Sequence, residues 1–227
     1  MGANIYADKS SIVLDWLLKV GIERESFSLR EIAKDRDVSL GLIQRVLGVL
    51  VQEGFLETQG IRTGKKFRLK KPAFLIKSWM KHYSIIKKCK LRTYQTGFPS
   101  KEKMLKALTK SGLHNHVILA LHCAAEAHKC KNTNLNTLEL YVMESKLREK
   151  IEKTLELEPQ EKGYEVLLIE PYYKCLLKHA TDFHEEIRVS PTLLTFLDLY
   201  HFPLRGQEQA EFMAERILEL KRIFRRR

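Results

Sequence analysis

The stretch SLREIAKDRDVSLGLIQRVLGVLVQEGFLE, residues 28–57, decides the fold of the N-terminal part of the chain. Ser28 with Glu31 three residues later is a capping box, which predicts the start of a short helix. Ser39 is expected to cap a second helix, and Gly54 is expected to end it. The apolar residues at helical spacing in this second helix are Ile43, Val46, Leu47 and Leu50. The stretch therefore predicts two packed helices joined by a tight turn.

Elements on either side extend this helix pair. A helix capped by Ser10 or Ser11 precedes it, and strand-like segments at 55–58 and 66–70 follow it around a glycine-containing turn. Helix, helix, turn, helix and hairpin is the order of a winged helix-turn-helix. We therefore predict a winged helix-turn-helix DNA-binding domain at residues 1–72.

The remaining sequence predicts a linker and a second domain. A basic amphipathic helix over 74–90 and a loop over 94–100 form the predicted linker, residues 73–100. Beyond it, predicted helices, one of them over 117–130, alternate with strands, so residues 101–227 are expected to form a C-terminal α/β domain. The fold class expected for the whole chain is α+β.

Positive charge is concentrated in the first half of the chain. Residues 1–101 contain 20 Lys or Arg and 9 Asp or Glu, whereas residues 102–227 contain 20 and 19. No acid occurs between Glu57 and Glu102. A field distributed in this way predicts a polyanionic partner such as nucleic acid. The alternative is a basic surface that serves only solubility.

We expect neither a secretory signal nor a paired-cysteine motif in this sequence. The start MGANIYADKS has no basic segment followed by an apolar one, and no apolar run has the length of a membrane span. The four cysteines form no C-x-x-C pair, which suits a reducing compartment. We therefore expect a cytoplasmic protein without a membrane partner.

The second helix of the pair is expected to contact DNA bases. Its outward side chains include Leu42, Gln44 and Arg45, which are suited to a thymine methyl, adenine and guanine respectively. Gly41 and Gly48 lower helix propensity, which indicates a close approach by another molecule. The residues expected to bind phosphates are Ser39, Arg62, Lys65, Lys66, Arg68, Lys70 and Lys71. The alternative is a three-helix unit that contacts proteins.

The segment LHCAAEAHKC contains side chains of the types that bind metal ions. On a continuous helix His122, Glu126 and Cys130 would share one face, but the sequence supplies no distant second pair of ligands, so no metal is predicted. The sequence also has no G-x-S-x-G, P-loop or G-x-G-x-x-G motif. We predict no catalytic residue and no cofactor.

Three stretches resemble the AbiEi-type antitoxins of bacterial type IV toxin–antitoxin systems. They are VSPTLLTFLDLYHFPLRGQEQAEFMAERIL, FLIKSWMKHYSIIKKCKLRTY and HVILALHCAAEAHKCKNTNLNTLELYV. The resemblance implies a winged helix that represses its own operon by binding promoter DNA. It also implies a C-terminal domain related in fold to nucleotidyltransferases, and a toxin that is itself a nucleotidyltransferase.

The implied nucleotidyltransferase site is incomplete in this sequence. Such an enzyme needs a Gly-Ser pair at a helix start and two carboxylates at i and i+2 on a strand to hold divalent metal. His122 and Cys123 stand at the first position, and the strand reads Glu139, Leu140, Tyr141. We therefore expect a non-catalytic relative.

The enzymatic alternative and the form that binds DNA are two further expectations. The first is a nucleotidyltransferase-like enzyme whose winged helix docks an RNA or protein substrate. For DNA binding we expect either a homodimer or two monomers that bind cooperatively.

Overall fold

The computed structural model describes residues 4–61 and 64–225. In chain order the elements are α1 (Asp8–Lys19), α2 (Leu29–Asp35), α3 (Leu40–Gln52), β1 (Leu56–Gln59), β2 (Lys66–Leu69), α4 (Pro72–His82), α5 (Ile85–Lys88), β3 (Lys90–Thr96), α6 (Lys101–Lys110), β4 (Val117–Leu119), α7 (Leu121–Ala127), β5 (Leu138–Val142), α8 (Arg148–Thr154), β6 (Leu157–Pro159), β7 (Val166–Glu170), α9 (Lys174–Lys178), β8 (Phe183–His184), β9 (Ile187–Val189), α10 (Thr192–Tyr200), α11 (Gly206–Arg216) and α12 (Leu218–Arg225). The expected α+β fold class is confirmed.

The chain divides into two compact units. The first comprises the residues up to Tyr83 together with those from Ile217 onward, and the second comprises residues 84–216. This division differs from the expected boundaries at residues 72 and 100. The physical reason is that α4 packs against α12, the final helix, so both belong to the first unit.

The helix caps of the first unit follow the sequence closely. The Ser28 backbone N–H donates to Glu31 Oε2 at 2.6 Å, and the Glu31 N–H donates to Ser28 Oγ, which completes the capping box. Ser39 Oγ accepts from the Leu42 N–H at the start of α3. Both caps are confirmed. The expected cap at Ser10 or Ser11 is wrong, because α1 begins at Asp8 and both serines are buried within it.

The hairpin of the first unit is fixed to the helices by aromatic residues. Strands β1 and β2 pair antiparallel from Leu56 opposite Leu69 to Gln59 opposite Lys66. Phe67 exchanges two backbone hydrogen bonds with Phe27, at 2.7 and 2.8 Å. The Phe27 ring in turn meets Trp16 of α1 edge-on. The buried positions of α3 are the four predicted ones, Ile43, Val46, Leu47 and Leu50.

The expected linker is not a helix followed by a loop. The predicted helix over 74–90 is divided, because α4 ends at His82 and α5 is a separate short helix. Residues 90–96 form strand β3, which takes in the start of the predicted loop. Strand β3 is stabilised by partners on both sides, β6 and β7, which lie more than sixty residues along the chain. The expected helix over 117–130 is also wrong: its first part is β4, and Leu121 turns the chain into α7 with φ at 46°.

The second unit is built on a seven-stranded mixed sheet. Its order is β6-β3-β7-β5-β4-β9-β8, with parallel pairs β5–β7 and β4–β9 and antiparallel pairs elsewhere. Leu138, Leu140 and Val142 lie on the sheet face that forms the apolar core with α6 and α8. Glu139 and Tyr141 alternate with them and therefore point to the opposite face. In the described part of the chain, every helix is too short or too polar to cross a membrane.

Candidate nucleic-acid interface

Helix α3 presents an open face to solvent. Its exposed residues are Leu40, Gly41, Gln44, Arg45, Gly48 and Gln52, while its opposite side is buried. A Cβ built at Gly41 or Gly48 meets nothing within 4 Å. Packing within the chain therefore gives no reason for two glycines in this helix, where each costs about 1 kcal/mol relative to alanine. The face has room for a closely approaching partner.

A groove of about 670 Å³ runs beside this face. It lies between α3, the start of α2 and the hairpin, and its lining residues are Ser28, Leu29, Arg30, Gln44, Gly48, Val51, Gln52, Lys65 and Phe67. Arg30 is exposed and was not among the residues singled out from the sequence. The signal was available, because a residue two positions before the buried Ile32 projects outward from a short amphipathic helix.

The residues expected to read bases lie together at the N-terminal half of α3. Gln44 and Arg45 are exposed, and Leu42 is half-buried. Ser39 is exposed as well, although its Oγ is already engaged by the Leu42 N–H. Within the described residues, no acid lies within ion-pair distance of Arg45.

The cations expected to bind phosphates form two groups. Lys66 Nζ lies 3.7 Å from Glu31 Oε2, and Lys70 pairs with Glu57. Among the described side chains, Arg68 and Lys71 have no such acidic partner, and both are exposed. Lys65 lies over the Phe67 ring, with its Nζ 5.5 Å from the ring centre, and keeps its charge exposed. Arg62 lies outside the described residues.

Glu31 connects the hairpin to the α2 cap. Its pKa is lowered, principally because the Ser28 backbone N–H donates to the carboxylate, with smaller contributions from the Ser28 side chain and from Lys66. The carboxylate therefore favours its charged form and keeps the Lys66 ammonium beside α2.

The junction of β4, α7 and β5 is the second place where polar chemistry concentrates. The Glu139 carboxylate is fully buried and accepts from the Cys123 N–H at 3.0 Å and from Tyr164 Oη at 3.2 Å. The Thr137 hydroxyl donates to it as well. Burial raises the pKa of the Cys123 thiol, with Glu139 adding to the rise, and burial lowers the pKa of His122. Both side chains therefore favour their neutral forms.

Tyr141 stands at the position where the nucleotidyltransferase pattern expected from the sequence would need its second carboxylate. Tyr141 Oη donates to Asp198 Oδ2 at 2.5 Å, and both residues are buried. The two carboxylates of this junction, Glu139 and Asp198, are thus each bonded to donors of the same chain. This arrangement gives no support to the enzymatic alternative. The Tyr141–Asp198 contact could not be found from sequence spacing, because the two residues are 57 positions apart.

Metal ligands do not come together in the described part of the chain. Over residues 4–61 and 64–225, no three His, Cys, Asp or Glu side chains form a group that would hold a metal ion. His122, Glu126 and Cys130 do not share one helix face, because α7 ends at Ala127. Glu126 instead pairs with Lys101 and Lys131.

The chain matches a protein family of the transcriptional regulator class. The matching family model is described as transcriptional regulator, AbiEi antitoxin, type IV TA system, and it covers residues 68–219, about two thirds of the chain. The chain belongs to this family, which confirms the resemblance seen in its sequence. No curated protein and no solved structure matches the chain significantly. The family match begins at Arg68, so it does not cover α3.

Proposed function

We propose that the protein is a DNA-binding autorepressor and the antitoxin of a type IV toxin–antitoxin operon. In this proposal α1–α3 with the β1–β2 hairpin act as a winged helix-turn-helix. The observation that carries the proposal is the open face of α3, where two glycines leave space beside Gln44 and Arg45. A family of transcriptional regulators gives this face a natural partner in double-stranded DNA.

The proposed DNA contacts are of two kinds, to base edges and to phosphates. Leu42, Gln44 and Arg45 are assigned to base edges, because amide and guanidinium groups each make paired hydrogen bonds to purines. The phosphate contacts are assigned to Ser39, Arg62, Lys65, Lys66, Arg68, Lys70 and Lys71. We assign the strongest phosphate contacts to Arg68 and Lys71, whose charges are not shared with an acid in the described chain.

The groove adds Arg30 to this assignment. It lies on the first turn of α2 and lines the same groove as Gln44 and Lys65. A phosphate seated there would meet cations from both sides, which would set the angle of α3 in the major groove.

The second unit is proposed to be a non-catalytic relative of nucleotidyltransferases. Its support is the buried Glu139, whose carboxylate is occupied by donors of its own chain, and the Tyr141–Asp198 bond at the position of a second metal ligand. The proposed functional partner is a nucleotidyltransferase toxin, and the proposed place of action is the cytoplasm. We further propose that DNA is bound by a homodimer or by two monomers cooperatively.

The test is fluorescence-anisotropy binding to the DNA upstream of the protein's own gene and to scrambled DNA, at two salt concentrations. We expect preference for the upstream DNA and a steep loss of affinity with added salt. Gln44→Ala combined with Arg45→Ala should abolish the preference. The matched control, Gln207→Ala combined with Lys103→Ala, removes one amide and one positive charge from exposed positions of the second unit and should preserve it.

Each other outcome has a distinct meaning. Equal, salt-sensitive binding to both DNAs would leave a nucleic-acid binder without sequence preference and overturn autorepression. Unchanged preference in the Gln44 and Arg45 variant would show that α3 is not the recognition helix. No binding to either DNA would reject the proposal as a whole.

A further inference from the structure

A cavity of about 300 Å³ opens in the second unit, on the sheet face opposite Glu139. Its lining residues are Lys90, Arg92, Val142, Ser145, Arg148, Leu168, Ile169 and Glu170. Val142 and Glu170 are the last residues of two neighbouring strands of the sheet, β5 and β7, which run parallel. The cavity therefore lies at the carboxyl ends of parallel strands, where α/β sheets commonly bind ligands.

The charges that line the cavity are unbalanced. Three cations, Lys90, Arg92 and Arg148, face a single lining acid. That acid, Glu170, lies 3.6 Å from Lys90, so the pair accounts for one positive charge and one negative charge. Of the two arginines, Arg148 lies near Glu149 and Glu152, at 3.9 and 3.3 Å, which are not lining residues, and Arg92 remains without an acid in the described chain.

The two arginines have donors to spare. Arg92 is half-buried, and in the described chain no acid lies within ion-pair distance of it. Arg148 Nε lies 3.3 Å from Glu152 Oε1 but makes no hydrogen bond in the described structure. That Glu152 oxygen instead accepts from Tyr94 Oη at 2.5 Å. An anionic ligand in the cavity would supply acceptors to both arginines that line it.

The lining also defines the ligand chemically. Guanidinium groups match the oxygens of a phosphate with paired hydrogen bonds, and the Ser145 hydroxyl offers another donor. Val142 and Leu168 provide an apolar wall on the same sheet face as Arg92. A volume of about 300 Å³ is at the lower end for small-molecule sites. We propose that this cavity binds a small molecule that carries a terminal phosphate group.

The proposal is tested on the full-length protein with inorganic phosphate and with a nucleoside monophosphate, in buffer free of phosphate and sulfate. Calorimetry gives the affinity, and methyl NMR gives the location. The methyl signals of Val142, Leu168 and Ile169 are expected to shift on titration. The methyls of Leu40 and Val51 on α3 report separately on anions that bind the other cationic surface.

Arg92→Gln is expected to weaken binding at this site at least about tenfold, because a charge-assisted hydrogen-bond pair is lost. Arg92→Lys keeps the charge without the paired geometry and should fall between Arg92→Gln and wild type. Lys106→Gln removes one charge from an exposed position of α6 and should change the affinity less than about twofold.

Three results would overturn the proposal. The first is the absence of methyl shifts at the cavity with either phosphate compound. The second is unchanged binding by a folded Arg92→Gln variant; if that variant does not fold, unchanged binding by Arg148→Gln decides in the same way. The third is a cavity that responds to double-stranded DNA but to neither small phosphate, which would make it part of a nucleic-acid surface.

Discussion

The open face of α3 and the Glu139 junction both contain polar side chains, which are exposed in the first and buried in the second. On α3, Gln44 and Arg45 extend into solvent, and no Cβ fills the space at Gly41 or Gly48. At the junction, the Glu139 carboxylate is fully buried and accepts hydrogen bonds from the chain itself. A polar group that is already satisfied inside the chain stabilises the fold, whereas one that is left open is available to a partner.

A perturbed pKa can result from packing as well as from a catalytic role. The raised pKa of Cys123 follows from burial and from Glu139, and a neutral buried thiol is a poor nucleophile. A shifted pKa here reports packing rather than catalysis. The exposed cations near α3 that have no acidic partner in the described chain, Arg45, Arg68 and Lys71, are available to a partner through their position and charge.

The largest effect is expected from removing the Glu139 carboxylate. Glu139→Ala removes the acceptor of the buried Cys123 N–H and of the half-buried Tyr164 hydroxyl, so the free energy of unfolding of the second unit should fall by about 3 kcal/mol. Urea denaturation followed by circular dichroism measures this change. Glu161→Ala, which alters an exposed carboxylate, should stay within about 0.5 kcal/mol of wild type. Equal stability of both variants would remove the distinction between the two regions.

Gly48→Ala tests the open face directly, because its two expected effects have opposite signs. The free energy of unfolding should rise by about 1 kcal/mol from helix propensity, since the added methyl meets nothing within the chain. The affinity for the upstream DNA should fall about tenfold, because the methyl group occupies the space of the approaching partner. Thermal melting and fluorescence anisotropy measure the two quantities.

A control for Gly48→Ala is Thr109→Ala on α6. This substitution also improves helix propensity but lies in the second unit, so it should leave DNA affinity unchanged. If Gly48→Ala stabilised the protein and left the DNA affinity intact, the open face would not be the contact surface.

Local signals made much of the first unit predictable. Ser28 and Ser39 each cap a helix through a backbone N–H three residues away, so their partners are contained in the sequence that shows the pattern. The helix pair, the hairpin and the α+β class could be inferred for this reason. The start of α1 was less accessible, because Ala7 caps it without a side-chain bond.

Contacts between distant residues set the limit of prediction. The loop predicted over 94–100 overlaps the end of strand β3, and the sequence does not reveal this strand because its pairing partners in β6 and β7 are far along the chain. The same limit applies to the candidate site. The pairing of Lys66 with Glu31, 35 positions earlier, could not be read from a list of cations, and neither could the groove that adds Arg30.

Two cations of the hairpin differ in the same way, because Lys70 is paired with an acid and Arg68 is not. Arg68→Gln should reduce the slope of log affinity against log salt by about 0.9, the value for one phosphate contact. Lys70→Gln should reduce it less, because the Lys70 charge is shared with Glu57. Fluorescence anisotropy at several salt concentrations gives both slopes. Equal reductions would mean that DNA displaces Glu57 and that ion pairing in the free protein does not rank the contacts.

Glu31→Gln is expected to have the smallest effect on stability, below about 1 kcal/mol, because the carboxylate is partly exposed. The lowered pKa of Glu31 means that its contribution is present above the ordinary value of 4.5 and is lost as the pH falls through the lower folded-state value. The variant should therefore be less stable than wild type at neutral pH and equal to it in acid. Thermal melting across this range measures the difference.

The same substitution also tests whether a released cation becomes available to DNA. Glu31→Gln removes the acid beside Lys66, so the salt dependence of DNA binding should become slightly steeper. Glu25→Gln, at an exposed position of the same unit, is the matched control and should change neither property. A stability difference that stayed constant with pH would assign the effect of Glu31 to packing. An unchanged salt slope would show that Lys66 contacts DNA equally well with or without its acidic partner.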